Sequence, residues 1–267
     1  MANGLGEVKN TIEFFLEITK GDKTTKVTKF NKPIEVKINV AGFKNHDKLA
    51  AYYLDEEDNT LEFVGGYIKN NRIVLKLNHF SKYVLIESTK TFPDIAKHWS
   101  KDYVESMIAK NIVDGYSDGT FKPEGKITRA EFVKMVVCAL NEDLIEYNEG
   151  FKDVKANDWH ADYIATAKAL GLIDGYADGS FRPNATIKRA EMAAILGKVV
   201  DIEIDEKDID KASSLFTDFA DIEEWAKESV AKVSKAGLMN GTDGKFYANK
   251  DTTRAEAATT VYRLYIR

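Results

Sequence analysis

Thr128-Arg129-Ala130-Glu131 decides how this chain is read, because it returns twice. It comes back as Lys188-Arg189-Ala190-Glu191, 60 residues on, and as Thr253-Arg254-Ala255-Glu256 after another 65. Each copy follows an Asp-Gly-x-Phe tract and opens an apolar-periodic run, so the fold is that of a repeat protein. Thr128 and Glu131 make a capping box, as do Thr253 and Glu256. Lys188 breaks the threonine half in the middle copy, whose helix should start less well capped. Arg129, Arg189 and Arg254 fall on the first helical residue, where the dipole is already positive and opposes a cation by a few tenths of a kcal/mol. Two readings of that repeated anomaly are open. The arginine forks stand beside free N–H groups as anion sites, or each pairs with an acid of a neighbouring repeat and holds the repeats together.

Working outward, Phe92-Pro93-Asp94, Phe151-Lys152-Asp153 and Phe216-Thr217-Asp218 open three units. A tryptophan follows in each: Trp99, Trp159 and Trp225. Glycine recurs 16 residues after the tryptophan (Gly115, Gly175, Gly241), and the arginine follows it at 30, 30 and 29. Each unit reads helix, loop, helix. Gly171 and Gly237 stop the first helix in the later units, and Asn111 holds that place in the first. Phe132, Met135, Val136 and Ala139, like Met192, Ile195, Leu196 and Val199, form the buried stripe of a second helix. A unit of roughly 50 residues has little core of its own, so the three must pack together. The acidic segment 201–215 lengthens the second spacing and is expected to be a solvated excursion. The loops 114–125 and 174–185 are rich in Asp and Gly, but their acids lie at the wrong offsets for a calcium loop, and no metal is expected. The third loop is one residue shorter, with Asn240 and Ala248 where the others have Asp and Pro.

Residues 1–90 read as β. Ile34, Val36, Ile38 and Val40 alternate, as do Ile73, Leu75 and Leu77. Residues 11–19, 49–55, 60–65 and 81–87 are further β-rich runs, separated by turn signals at Gly21-Asp22, 55–59 and Asn70-Asn71. The pattern predicts a small antiparallel sandwich with a seam at 89–91. The fold class is thus α+β and multidomain: 1–90 a β-domain of unread role, 91–267 an all-α three-repeat domain with repeats at about 92–145, 151–200 and 216–267. Of the net charge of −5, residues 1–90 hold 14 Lys+Arg against 12 Asp+Glu, a net +2, leaving −7 for the rest. An acidic repeat region is poor material for nucleic acid, so any anionic ligand must be held by placed arginines. No window suits a transmembrane helix, and MANGLGEVKN carries no signal-peptide pattern. The single cysteine, Cys138, lies on an apolar helix face as a small core residue. No phosphate loop, nucleophile elbow or His/Cys cluster is present, so no catalytic residue and no cofactor is assigned. Tryptophans beside an arginine suit a sugar polymer bearing a carboxylate, although core packing is the leading reading of each tryptophan taken singly.

The order Phe-x-Asp, Trp, helix, Gly-x-x-Asp-Gly-x-Phe-x-Pro and Thr-Arg-Ala-Glu resembles the S-layer homology domain, three times over, across about residues 92–265. The resemblance implies non-covalent anchoring of an exported protein to the bacterial cell wall. It implies a three-pronged, pseudo-threefold trimer of repeats within one monomeric chain. Its inter-repeat grooves would bind pyruvylated N-acetylmannosamine of a secondary wall polysaccharide. Arg129, Arg189 and Arg254 map onto the ligand arginine, and loop contacts map near Gly115, Gly175 and Gly241, with Trp99, Trp159 and Trp225 as aromatic partners. Lys188 and the shortened third loop depart from the pattern, so the third groove should differ. The implied location is the cell surface, wall or S-layer, without membrane insertion and with the signal peptide upstream. Two alternatives accompany this reading: a structural S-layer lattice protein, and the anchoring part of a larger exported enzyme.

Overall fold

In a computed structural model, which describes residues 5–27 and 29–267, the chain is a mixed α+β protein. Met1–Gly4, the start of the stretch read for a signal peptide, lie outside the described residues. Residues 1–121 and 122–265 form two compact units, and the division falls within the loop of the first repeat.

The first unit is built on antiparallel sheets. One has the order β1 (Gly6–Glu13), β9 (Lys82–Ser88), β5 (Leu49–Asp55), β6 (Thr60–Gly65). A second runs β4 (Ile34–Asn39), β8 (Arg72–Leu77), β7 (Tyr67–Lys69). Val40, Leu49, Ala51, Ile73, Leu75, Leu77, Tyr83 and Leu85 form one core to which both sheets contribute. The run at 11–19 is not one strand. It breaks at residues 14–16 and resumes as β2 (Glu17–Lys20), which pairs with β3 (Lys23–Lys26) in an exposed hairpin. Asn70 and Asn71 turn β7 into β8 with φ of 51° and 57°, the left-handed pair that a two-residue hairpin needs and that asparagine tolerates.

The other face of the first sheet carries Ala50, Tyr52, Val84 and Ile86, and helix α1 (Lys101–Ala109) belongs to this same unit. Polar groups join α1 to the β5 entry: Ser106 Oγ donates to Asp47 O at 2.9 Å, Lys48 pairs with Glu105, and Lys110 Nζ donates to Leu49 O.

The second unit holds α2 (Arg129–Leu140), α3 (Ala161–Ala169), α4 (Arg189–Val199), α5 (Glu206–Leu215), α6 (Glu224–Lys235) and α7 (Arg254–Tyr265). Packing exchanges partners between repeats: α2 lies against α3, the first helix of the next repeat, and α4 against α6. The apolar stripes behind Arg129 and Arg189 therefore find their partners in the following copy, and α7 lies against α2. Asn111, Gly171 and Gly237 take φ of 55°, 72° and 70°, ending three first helices alike. Residues 201–215 depart from the expected excursion. Asp205 caps α5 through Asp208 N, Ala212 is buried, and Asp208 pairs with Lys235 of α6 at 2.7 Å.

Candidate inter-repeat site

Just ahead of α2, α4 and α7 the three repeats join backbone to backbone. Ile127 N donates to Thr252 O at 3.0 Å, Thr252 N to Ile187 O at 3.0 Å, and Ile187 N to Ile127 O at 3.1 Å, which closes a ring. Ile127, Ile187 and Thr252 are fully buried inside it. Around the ring Asp251 accepts from Lys126 Nζ at 2.5 Å and Thr186 Oγ1 at 3.2 Å, with Lys188 Nζ at 3.7 Å. Lys188, read as a defective cap, thus has a position to fill: its ammonium also donates to Asn249 O at 3.0 Å. The helix start keeps half its box, because Glu191 Oε2 still accepts Lys188 N at 2.9 Å.

The free N–H groups expected beside each arginine are taken. Arg129 N donates to Ala185 O and Ala130 N to Pro183 O; Arg189 N to Lys250 O and Ala190 N to Ala248 O; Arg254 N to Gly125 O and Ala255 N to Pro123 O, all between 2.8 and 3.0 Å. An α-helix leaves its first donors unsatisfied, and here the end of the neighbouring repeat's loop supplies the acceptors. The anion-site reading based on bare N–H groups therefore fails, and any anion must be met by side chains.

All three arginines are buried, at 4–9% exposure. Arg129 Nε donates to Phe181 O at 2.9 Å and its Nη1 meets Glu191 Oε1 at 3.0 Å. Arg189 Nε donates to Phe246 O at 2.8 Å, its Nη2 to Asn240 O at 3.0 Å, and Nη1 lies 3.8 Å from Glu256 Oε1. Arg254 Nη1 donates to Glu131 Oε1 at 2.7 Å. Each arginine thus reaches the Glu of the next copy of its own motif, and the last returns to the first. The acid-pairing reading is what the geometry displays. It also accounts for a cation at a helix start, since the side chain leaves the dipole for carbonyl and carboxylate oxygens. Arg129 keeps an open corner: its Nη2 has no hydrogen-bond partner among the described residues, and its guanidinium lies 4.8 Å from the Tyr176 ring. Arg182 stacks on that ring at 3.8 Å, and Tyr176 Oη donates to Glu191 Oε1 at 2.5 Å. Burial first, then that bond, push the Tyr176 hydroxyl up. In the third repeat Thr242 occupies the place of Tyr176, so this aromatic stack is missing and Arg189 binds Asn240 O instead.

The glycines are needed for close approach. A Cβ on Gly115 would lie 2.2 Å from the Phe92 ring, one on Gly175 2.3 Å from Phe151, and one on Gly241 2.7 Å from Phe216. The aspartates of the Phe-x-Asp openings, which the sequence reading used only as markers, are loop clamps. Asp153 accepts Phe181 N and Arg182 N at 2.8 and 2.7 Å, and Asp218 accepts Phe246 N and Tyr247 N at 2.8 Å each. Asp94 accepts Phe121 N at 3.0 Å in the first unit. The Asp153 and Asp218 clamps hold Arg182 and Tyr247 at φ of 60° and 59°, a left-handed conformation that costs such residues about 1–2 kcal/mol. Exact recurrence of the Phe-x-Asp spacing was the available signal.

The tryptophans overturn the core-packing reading. Trp99, Trp159 and Trp225 are 57, 57 and 55% exposed, each at the start of its repeat's first helix. Trp225 Nε1 donates to Glu223 at 2.5 Å. Beside Trp159, His160 is buried with Nδ1 unpartnered, and burial pushes its pKa down.

The chain matches the family model of the S-layer homology domain at residues 91–133, 150–193 and 215–258. It is 36% identical to an amylopullulanase of Thermoanaerobacterium thermosulfurigenes over 98% of its own length and 14% of that protein. It is 33% identical to S-layer protein EA1 of Bacillus anthracis over 63% of its length and 19% of the relative. A cellulosome-anchoring protein of Acetivibrio thermocellus is 35% identical over 54% of the chain and 32% of the relative. The chain therefore spans less than a third of these relatives.

Proposed function

The chain carries three tandem S-layer homology domains and through them belongs to that family, which anchors proteins to cell walls; on this premise we propose that it binds pyruvylated secondary wall polysaccharide in the grooves between its repeats. The observation that carries this reading is the exposure of Trp99, Trp159 and Trp225 at one repeated position. A half-bare indole is a stacking surface for the apolar face of a sugar. Arg129 adds an anion contact through its unoccupied Nη2, with Arg182 close by on Tyr176. Gly115, Gly175 and Gly241 shape the loops that border these groups. In this reading the closed ring of backbone bonds at Ile127, Ile187 and Thr252 is the axis of a pseudo-threefold, three-pronged domain, and the β-region is a sandwich that precedes it. The groove served by Arg189 binds more weakly, since its arginine is fully engaged and lacks the tyrosine stack. The chain works at the cell surface.

A second reading concerns the whole protein. The match to an amylopullulanase extends through the β-domain, over 98% of the chain. It supports a role as the anchoring part of a larger exported enzyme, with no catalysis in these residues.

Pull-down on cell-wall sacculi tests the anchoring. Binding is expected to native sacculi and to fall on removal of the secondary polysaccharide or of its pyruvate, and to weaken in folded Trp99→Ala, Trp159→Ala and Trp225→Ala variants. Undiminished binding to stripped sacculi would sink the proposal.

A further inference from the structure

The two sheets of the first unit are dressed differently. The β1–β9–β5–β6 sheet has apolar side chains on both faces, whereas the outer face of β4–β8–β7 is polar and bears a concentration of cations. Register fixes which groups meet there. Lys37, Val74 and Tyr67 lie in one row across the sheet; Asn39, Arg72 and Lys69 lie in the next. Glu35 faces Lys76.

Lys69 and Arg72 are directly opposed across the Asn70-Asn71 turn. Like charges at paired positions destabilise a sheet, and here they close the hairpin between the three-residue β7 and β8. Neither residue has an ion-pair partner among the described residues, and neither does Lys76. The one acid in the patch, Glu35, is engaged by Lys37 at 2.8 Å. Lys37 by its hydrogen bond, and Lys76 by its charge, hold the Glu35 carboxyl below its usual range. Between these side chains the surface dips into a shallow cavity of about 530 Å³, bordered by Lys37, Tyr67, Lys69, Arg72 and Glu35. The Tyr67 ring is 43% exposed there, and Val74 beneath is buried. A local rule broken without internal compensation is where an external partner is sought.

We propose that the outer face of the β4–β8–β7 sheet binds an anionic glycan strand, with Lys37, Lys69, Arg72 and Lys76 meeting its acid groups and Tyr67 stacking on a sugar ring. Charge complementarity selects an anion. A single exposed ring with no apolar wedge favours a glycan over a membrane surface. The family anchors proteins to cell walls, so once anchored the sheet meets wall polymers at high effective concentration, where even weak contact matters. Carboxylate-bearing and phosphate-bearing polymers offer the same chemistry to this face. The inference stands apart from the groove reading, since it uses none of the repeat residues.

The test is titration of the full chain with polygalacturonate, inorganic polyphosphate and neutral dextran at low and high salt. Polygalacturonate or polyphosphate is expected to bind and dextran not to, with binding falling steeply as salt rises. K69E/R72E should weaken it about tenfold or more, the loss of roughly one to two charge-assisted contacts, and Tyr67→Ala should weaken it several-fold. K23E/K26E, the same charge change on the exposed β2–β3 hairpin, should have little effect. Whichever polyanion binds more tightly identifies the source of the acid groups. Equal loss in K23E/K26E would mean attraction to net charge alone and would overturn the proposal, as would absence of binding to both polyanions. In a chain with Trp99, Trp159 and Trp225 changed to Ala, K69E/R72E should still cause the same further loss; no further loss there would place the binding in the grooves instead.

Discussion

Arg254 donates to Glu131 at 2.7 Å across 123 positions of sequence, a side-chain bond between the last repeat and the first. With Arg129–Glu191 and Arg189–Glu256 it makes the motif a self-recognising unit: each copy offers an arginine forward and receives one from behind. Both side chains are largely withdrawn from water, so neither charge can be removed cheaply. Removing one partner of such a buried pair costs about 3–5 kcal/mol, because the other is left uncompensated. Arg254→Met and Glu131→Gln are each expected to lower urea-unfolding stability by an amount of that order. The double variant should lose less than their sum, and additivity would mean that the pair is not coupled.

Gly175 and Gly179 share left-handed backbone, with φ of 76° and 80°, but only Gly175 is crowded. Gly179→Ala should therefore cost only the conformational penalty, about 1–2 kcal/mol. Gly175→Ala should add about 1–3 kcal/mol of overpacking against the Phe151 ring. Equal thermal shifts in the two variants would contradict the close-approach account.

Lys110 supplies a pH signature. Burial pulls its ammonium down from 10.5 to about 8, only partly opposed by Asp47. Its folded pKa lies below the unfolded one, so between about pH 8 and 10.5 the unfolded chain binds more protons and this group makes stability rise with pH. Below pH 8 the burden is fully present. The slope of unfolding stability against pH in that window is expected to be more positive in the parent than in Lys110→Met. Identical slopes would show that the burial is not felt.

Lys188→Thr would restore the cap that the other two copies have, worth about 1 kcal/mol, while removing the partly exposed contacts to Asp251 and Asn249 O. The two effects oppose each other, and the net change in melting temperature should be small. A large stabilisation would mean that Lys188 contributes nothing to the junction.

The sequence made the periodic features legible and left the reciprocal ones hidden. Alternation located β4 and β8, β-rich composition between turn signals located β5, β6 and β9, and the recurring stop at Asn111, Gly171 and Gly237 located the first-helix ends, because all of these are local preferences. The split at residues 14–16 was missed since Phe14, Phe15 and Leu16 continue the apolar run without a breaker. The short strand β7 was missed since three residues carry no period. Capping chemistry identified Thr128 and Glu131, but nothing local says that Glu131 also receives Arg254. Taken singly, each tryptophan reads as core because indole is usually buried; their exposure depends on which helix face is left uncovered, which no local pattern states. Helix α5 was read as a solvated excursion because its composition is acidic, yet Asp205 with Asp208 three residues on was a cap in plain view.

The central claim is that the grooves recognise a carboxylate-bearing sugar through the exposed tryptophans and the open corner of Arg129. The most direct measurement is isothermal titration of the chain with a pyruvylated N-acetylmannosamine glycoside, beside the same sugar without the ketal. Binding of the pyruvylated sugar, at least about tenfold weaker without the ketal and reduced in a folded Trp159→Ala variant, is the result expected. Equal affinity for both sugars, or full affinity in the tryptophan variant, would contradict it.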